Sequence, residues 1–586
     1  PAEIERMALA AHWSLLIPDR PDRRGLSFRR KTDSFDNIWP FEFGITGHGL
    51  GLQRGFLSNQ RFNYIWSEPD LYTAGYEGFD ALPVPFRPVA TDLETGESVV
   101  LEKGNLLRAV QASMAAIGAF PPVRLDGRDL TDGYLRAMVP VDAARGMGAD
   151  KVIAVHVGWN PGELPPSGAW DLVTISMQAG YILTWANVEP DMAQADVSLY
   201  ISLPEVPLFD LTQAENGIAA GRAAVDAQLD ALEPLALSEE DYAAWRASDR
   251  RRTVAVPVIT GIDVPDRAHD DERTVRNRIG QAPGDTLDFA GLTRDLDWIF
   301  ELGTFESVGF SLPPDAEGRR LVVEPVEKPY LPWLLHVGGS FRMDYSNRGE
   351  IQILTRLTRL EINRLGGELR GTLALGSLHG LEAEFYQPLE RSRRLFLSPS
   401  VILNSHDQYV YDGSFQQGSF RTDTGGGQVD LGLNLGHWAE ARAGIRRGRT
   451  HARPRSGTTE VPELWEDVGA LMFGLGFDHL DDLGIPRHGM AGGFRAGFAE
   501  PSLGSDREYE RYWAHLAGAA TSGRWTMQVL AKAGDSSGDL PYYRDFFLGG
   551  VRDLTGLPLR SLNGGGFAMG GAGVLYHVAG LDLPYM

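Results

Sequence analysis

The sequence predicts a multidomain chain: an α/β domain, then a small α+β module, then an antiparallel transmembrane β-barrel. Three observations lead there. At 586 residues the chain is longer than one hydrophobic core organises, since domains run to roughly 100–200 residues. Glycine is divided unevenly, 28 in residues 1–330 against 41 in the shorter remainder, as a sheet with bends and close backbone contacts would need. From residue 330 onward, apolar residues return at every second position in segment after segment.

Composition removes several classes. With 43% hydrophobic and 10% aromatic residues the chain can bury a substantial interior and is not a disordered polymer. A net charge of −23 argues against nucleic acid, whose phosphates need a Lys/Arg surface. Without Cys there is no disulfide framework and no thiolate site. No apolar run is long enough for a transmembrane helix. The chain opens on Pro1 without a signal peptide, and its natural N-terminus is expected further upstream.

Residues 1–240 alternate strands and helices. Pro85–Leu101 reads as a hairpin turned at Thr95-Gly96. Asn105 then caps a helix with Leu106, Val110, Met114 and Ile117 on one face and Gly118 at its end. Pro140 starts and Gly148 closes a short helix ahead of Val152–Val157, a β-branched strand of the buried parallel type. A strand at Val197–Leu203 precedes a long helix carrying Ile218, Val225, Leu229 and Leu232.

A linker is expected near Asp249–Arg252, and residues 250–329 form the α+β module. It comprises a strand at Val254–Ile259, a charged helix around Glu272–Ile279 and a helix capped by Asp288 with Phe289, Leu292, Leu296 and Ile299. Strands at Phe305–Leu312 and Leu321–Val326 complete it.

Residues 330–586 carry the period-two pattern. Val337, Gly339, Phe341, Met343 and Tyr345 share one face; so do Val429 to Leu435, Leu471 to Phe477 and Trp525 to Ala533. Polar residues or Gly lie between them. Segments of about ten residues, with aromatics such as Tyr386, Trp438, Trp513, Tyr542 and Tyr543 near their ends, fit strands with lipid outside and water inside. A soluble β-sandwich shares the alternation and is the rival reading. At this segment length roughly eleven or twelve strands are expected, an open set whose unpaired groups lipid would penalise, so the C-terminus is also expected to lie further on.

Motifs for chemistry are few. There is no HEXXH, Walker or dinucleotide signature and the 13 His are scattered, so no cofactor and no metal are expected. Gly534-Asp535-Ser536-Ser537-Gly538 fits G-x-S-x-G, but no helix pattern follows it, and it reads as a surface turn. Gly425–Gly427 and Gly564–Gly566 read as loop or bend glycines. Asp132-Gly133 is in isolation a hairpin dipeptide.

In context that pair means more. The blocks PVPFRPVATDLETGESVVLEKGNLLRAVQASMAAIGAFPPV, DGRDLTDG and PVDAARGMGADKVIAVHVG, spanning about 80 to 158, resemble the C-terminal half of a patatin-like phospholipase domain. The resemblance implies a lipid acyl hydrolase with a Ser–Asp dyad, in which Asp132 is the catalytic carboxylate and phospholipid or lysophospholipid the substrate. Tyr134, Gln111 and Gly118 depart from the family pattern. PAEIERMALAAHWSLLI looks like the segment just after the nucleophile elbow, which places the Ser and the oxyanion loop before residue 1. Residues GIDVPDRAHDDERTVRNRIGQAPGDTLDFAGLTRDLDWIFELGTFESVGFSL resemble a polypeptide-transport-associated (POTRA) repeat. YYRDFFLGGVRDLTGLPLRSLNGGG resembles the late-strand region of BamA-like outer-membrane barrels. That order is similar to the patatin-type autotransporters of Gram-negative bacteria, here as an internal fragment cut at both ends. It implies an outer-membrane location with the α/β domain periplasmic or at the surface, outer-membrane lipid as a partner, no nucleic acid and an unspecified oligomeric state. A catalytically inactive relative, whose POTRA–barrel unit serves secretion or membrane insertion, is the alternative.

Overall fold

The computed structural model describes residues 2–10, 23–34, 43–55, 57–58, 60, 76, 78–158, 172–203, 213–247, 256–264, 275–315, 318–343, 349–390, 392–412, 415–457, 462–550 and 553–578.

The hairpin forms as expected between Val89–Asp92 and Ser98–Val100, with Gly96 at φ 72° in its turn. Val89–Asp92 also pairs antiparallel with Arg128–Asp132, which in turn pairs with Val123–Leu125. Asn105 caps the helix Leu106–Ser113 by accepting the Arg108 N–H at 2.9 Å. Its buried side differs from the expected stripe: Leu107, Ala109, Gln111 and Ala112 are inside and Ile117 is exposed. Ala112 and Ala115 meet Ala90, Val123 and Leu130, because methyl side chains let the helix lie close on the sheet. The helix ends at Ser113, ahead of Gly118.

Pro140 and Gly148 bracket the short helix Val141–Gly146 as read. Ile153–Gly158 pairs in parallel with Val197–Ser202 across the helix Leu172–Met192. Val152 and Ala154 are buried against Val188 and Met192, whereas Ile153, Val155 and Val157 are exposed among the described residues. Among the described residues, the strand is therefore covered on one face. The long helix expected after it is broken into Ala214–Asp226 and Leu229–Leu232.

The linker near Asp249–Arg252 lies outside the described residues, as do the first three residues of Glu272–Ile279; Val275 and Arg276 are helical and the chain turns directly after them. The first strand of the module is described at Ile259–Asp263; Val254 and Ala255 lie outside the described residues, and Val258 contributes an isolated bridge to Thr286. It lies parallel to Gly318–Glu327, which pairs antiparallel with Phe305–Ser311. Asp288 caps Phe289–Phe300 by accepting the Gly291 N–H at 3.0 Å. Leu292, Leu296 and Ile299 from this helix close onto Ile259, Phe305, Leu321 and Val323 in one core.

Fourteen strands build the large sheet. Twelve follow in chain order from Trp333–Met343 to Phe567–Tyr576, within the expected number. Two more, Phe43–Thr46 and Gly49–Leu52, join through Phe43↔Leu335 and were read as part of the α/β region. Among the described residues, Gly49–Leu52 and Phe567–Tyr576 stand at the sheet's edges and do not pair with each other.

One face is apolar and exposed. A row crosses four strands through Leu397↔Leu431, Leu431↔Ala443 and Ala443↔Phe473, with Leu431 53% exposed. The next row inward holds Phe396↔Gly432↔Arg442, where Phe396 is fully buried and a Cβ on Gly432 would collide with its ring. A sandwich would bury the apolar row; here it faces outward, as a wall against lipid requires.

Several strands outrun ten residues, reaching 21 in Phe415–Leu435. Their extensions are polar hairpins braced by ion pairs such as Arg421–Asp407 and Arg453–Asp423, which is why hydropathy alone underestimated them. Gly425–Gly427 sits inside that strand, not in a loop. Tyr345 lies outside the described residues. Tyr386 and Tyr543 are buried rather than at a lipid interface, while Trp438, Trp465 and Trp525 are exposed.

A second N-terminal piece enters the lumen. The helix Phe28–Ser34 lays Arg29 against Glu368 (2.6 Å) and Glu384 (3.0 Å), and Asp33 against Arg370 (2.6 Å) and Arg356 (3.2 Å). Arg23 pairs with Asp478 at 2.5 Å, and the fully buried Lys31 ammonium donates to the Asp478 carbonyl at 3.0 Å.

Candidate functional site

Asp132 stands at the end of the strand Arg128–Asp132, immediately before the helical turn Tyr134–Ala137. The hairpin-turn meaning of Asp-Gly is thereby excluded: this is a strand-to-helix junction. Gly133 adopts φ −62°, available to any residue, so the need for glycine is one of space. A Cβ there would strike the carbonyl oxygen of Val89 on the neighbouring strand. That close approach holds the junction against the sheet.

The backbone around Asp132 is tied down on both sides. Its N–H donates to Ala115 O at 3.0 Å, and its carbonyl accepts the Thr91 hydroxyl at 3.0 Å. Thr131 donates its hydroxyl to Ala115 O at 2.6 Å. The carboxylate accepts the Tyr134 N–H at 2.9 Å. No ion pair to Asp132 exists among the described residues. Burial pushes its carboxyl up from 3.8 to about 6, against the opposing pull of the Tyr134 N–H. Tyr134 is itself raised, by burial and by the neighbouring carboxylate.

A half-buried carboxylate with this affinity remains ionised at neutral pH yet can accept a proton, the property of a general base. No Ser or Thr hydroxyl hydrogen-bonds to its carboxyl among the described residues. Ser536, the serine of the G-x-S-x-G match, does not meet it. Ser536 lies within the strand Trp525–Gly538, paired with Arg511, and donates its hydroxyl to Gly565 O at 2.5 Å. It occupies a strand end, not the expected surface turn, and no helix follows to make an elbow.

Sequence reasoning passed over His156. It is buried on Ile153–Gly158, edge-on to Trp185 at 5.0 Å, with Nε2 lacking a hydrogen-bond partner, and burial lowers its pKa. A histidine alternating with apolar neighbours gives no signal beyond a core position, and it packs as one. No group of three or more His, Cys, Asp and Glu suited to a metal occurs among the described residues.

Comparison with known proteins places this geometry. The family model described as patatin-like phospholipase matches residues 40–145, which include Asp132, and the Omp85 superfamily domain matches residues 366–579. The chain thus combines a patatin-like α/β domain with an Omp85-type antiparallel sheet, the kind found as Gram-negative outer-membrane β-barrels. An uncharacterized NTE family protein of Mycobacterium tuberculosis is 40% identical over 83 residues, 14% of this chain and 23% of that protein. Human patatin-like phospholipase domain-containing protein 6 is 36% identical over 110 residues, 18% of this chain and 8% of the other. The chain therefore spans less than a quarter of these relatives. Among solved structures, BamA from Haemophilus ducreyi lacking POTRA domains 1–3 aligns with TM-score 0.39 at 15% identity, covering 50% of this chain and 58% of that one.

Proposed function

We propose that the chain belongs to an outer-membrane-anchored lipid acyl hydrolase of phospholipase A or lysophospholipase type, in which Asp132 is the carboxylate of a Ser–Asp dyad. One observation carries this: within the patatin-like stretch, Asp132 is a carboxylate without a cationic partner among the described residues, raised toward neutrality and fixed at a strand end. Such a group orients a serine hydroxyl and takes its proton as the oxygen attacks the ester carbonyl. Backbone N–H groups would then stabilise the tetrahedral oxyanion. The reading takes 1–240 as the hydrolase portion, 250–329 as a POTRA-like module and 330–586 as the membrane barrel, with phospholipid or lysophospholipid as substrate. It needs a serine on a strand–turn–helix elbow and a glycine-rich loop, which the family resemblance places in coding sequence upstream of Pro1.

The test is made on the full-length protein. Asp132→Asn should lower hydrolysis of a fluorogenic phospholipid by about 10³-fold or more while far-UV circular dichroism is unchanged. Because the base must be ionised, wild-type turnover should fall as pH drops through about 6. Undiminished activity in the Asn variant removes Asp132 from the dyad.

Tyr134 and Gln111, at positions where the family carries a small residue and Arg, support a second reading. In it the domain is catalytically silent and the module with its barrel serves secretion or membrane insertion. Upstream coding sequence without the elbow serine would favour it.

A further inference from the structure

We infer that the lumen of the large sheet contains a binding site for a phosphate-bearing anion, built by arginines that make no ion pair among the described residues. A cavity of about 500 Å³ opens between six strands of the large sheet and the segment Arg544–Leu548 folded over them. Arg446, Arg495, Arg511 and Arg544 line it, each from a different element, together with Lys532. Only two carboxylates stand among the lining residues. Asp553 is taken by Lys532 at 2.6 Å, and Asp545 accepts the Asn563 amide at 3.0 Å.

None of the four arginines makes an ion pair among the described residues, although Asp545 lies near enough to Arg511 to offset part of its charge. Arg446 and Arg495 make no ion pair or hydrogen bond among the described residues, and Arg495 lies over the Trp513 ring at 5.9 Å. Arg511 donates Nε to the Arg544 carbonyl at 3.1 Å and stacks 4.1 Å above the Phe546 ring. The Arg544 Nε is buried with no hydrogen-bond partner. Elsewhere in the same lumen the rule is the opposite: Arg442 pairs with both Glu440 and Glu384.

In a chain of net charge −23, five cations converging on one cavity oppose the overall composition. Arg446 and Arg511 are partly desolvated without an ion pair, Arg495 stands open to solvent at the rim, and an anion drawn between them would relieve their mutual repulsion. Planar forks at several angles suit a tetrahedral oxyanion, which accepts from each of them. Met472, Phe546, Phe547 and Phe567 supply an apolar wall beside the cations. The chemistry is therefore that of a phosphate, either free or carried by a lipid headgroup.

The purified full chain in nonionic detergent is titrated calorimetrically with inorganic phosphate and, separately, with dihexanoyl phosphatidylglycerol. Saturable binding of either is expected, and about tenfold weakening in both Arg446→Gln and Arg511→Gln. Arg446→Lys, which keeps the charge, should recover most of the affinity. The heat-dependent gel mobility of a folded barrel is measured on each variant to separate misfolding from lost binding. Binding of phosphate alone identifies a free-anion site; binding of the lipid alone identifies a headgroup site. If neither binds the wild-type chain, or folded glutamine variants bind as tightly as wild type, the inference is overturned. Asp132→Asn should leave this binding unchanged, so its outcome is separable from that of the hydrolase.

Discussion

Two buried carboxylates in this molecule live under opposite conditions. Glu384, in the lumen, receives Arg29 at 3.0 Å, Arg442 at 3.3 Å, Arg370 at 3.7 Å and the Ser398 hydroxyl at 2.7 Å. Asp132, in the α/β domain, receives one backbone N–H. Both are removed from water, yet only the first has its charge neutralised on the spot. A charge surrounded by partners is fixed in one state and serves architecture; a charge left alone can change its state and serves chemistry. The contrast explains why the lumen, though far richer in ionisable groups, is not where a proton acceptor should be sought.

The contrast can be broken most forcefully from the lumenal side. Arg29→Ala strands Glu368 and Glu384 without one of their guanidinium partners, and removing a single member of a buried network typically costs about 3–5 kcal/mol. Urea denaturation in detergent should show the loss, with Arg29→Lys retaining part of the stability. Arginine on the opposite face probes whether that wall meets hydrocarbon. Leu431→Arg, at the centre of the outward row, should cost about 2–4 kcal/mol in bilayers, against a negligible effect if the row faced water. Folding yield into liposomes at graded urea measures it.

At Asp132 the sign reverses. Its folded pKa, about 6, exceeds the ordinary 3.8, so the unfolded chain gives up this proton first as pH rises. Folded stability therefore declines between about pH 4 and pH 6 through this group, and at pH 8 the buried charge costs about 2–3 kcal/mol. Asp132→Asn should raise the melting temperature at pH 8 and make little difference at pH 4, while Glu384→Gln should destabilise at pH 8. A melting temperature lowered equally at both pH values would erase the distinction. The smallest effect is a control away from both sites: Asp288→Ala, which deletes a helix cap in the small module, should cost about 1 kcal/mol.

Much of this was legible in the sequence where the signal was local. The caps at Asn105 and Asp288, the turn at Gly96 and the outward rows through Leu431 and Phe473 depend on neighbours within a few positions. Asp132 was found because its flanking blocks resemble a family, yet its environment was not readable: a dipeptide does not reveal that Gly133 is pressed against Val89. The helix face was misread because alanines, not large residues, made the contact. Phe28–Ser34 was missed altogether. Its run of Arg, Lys and Asp looks like a solvated surface, and its partners stand more than 300 positions away, as the separation of 339 positions from Arg29 to Glu368 shows.

That lumenal helix also imposes an order of events. Emerging early from the ribosome, it must wait unpartnered until strands as late as Leu464–Asp478 have formed, since Asp478 is what holds Arg23 and Lys31. The seat of this segment is therefore a late contact in folding, complete only when strands far down the chain are in place.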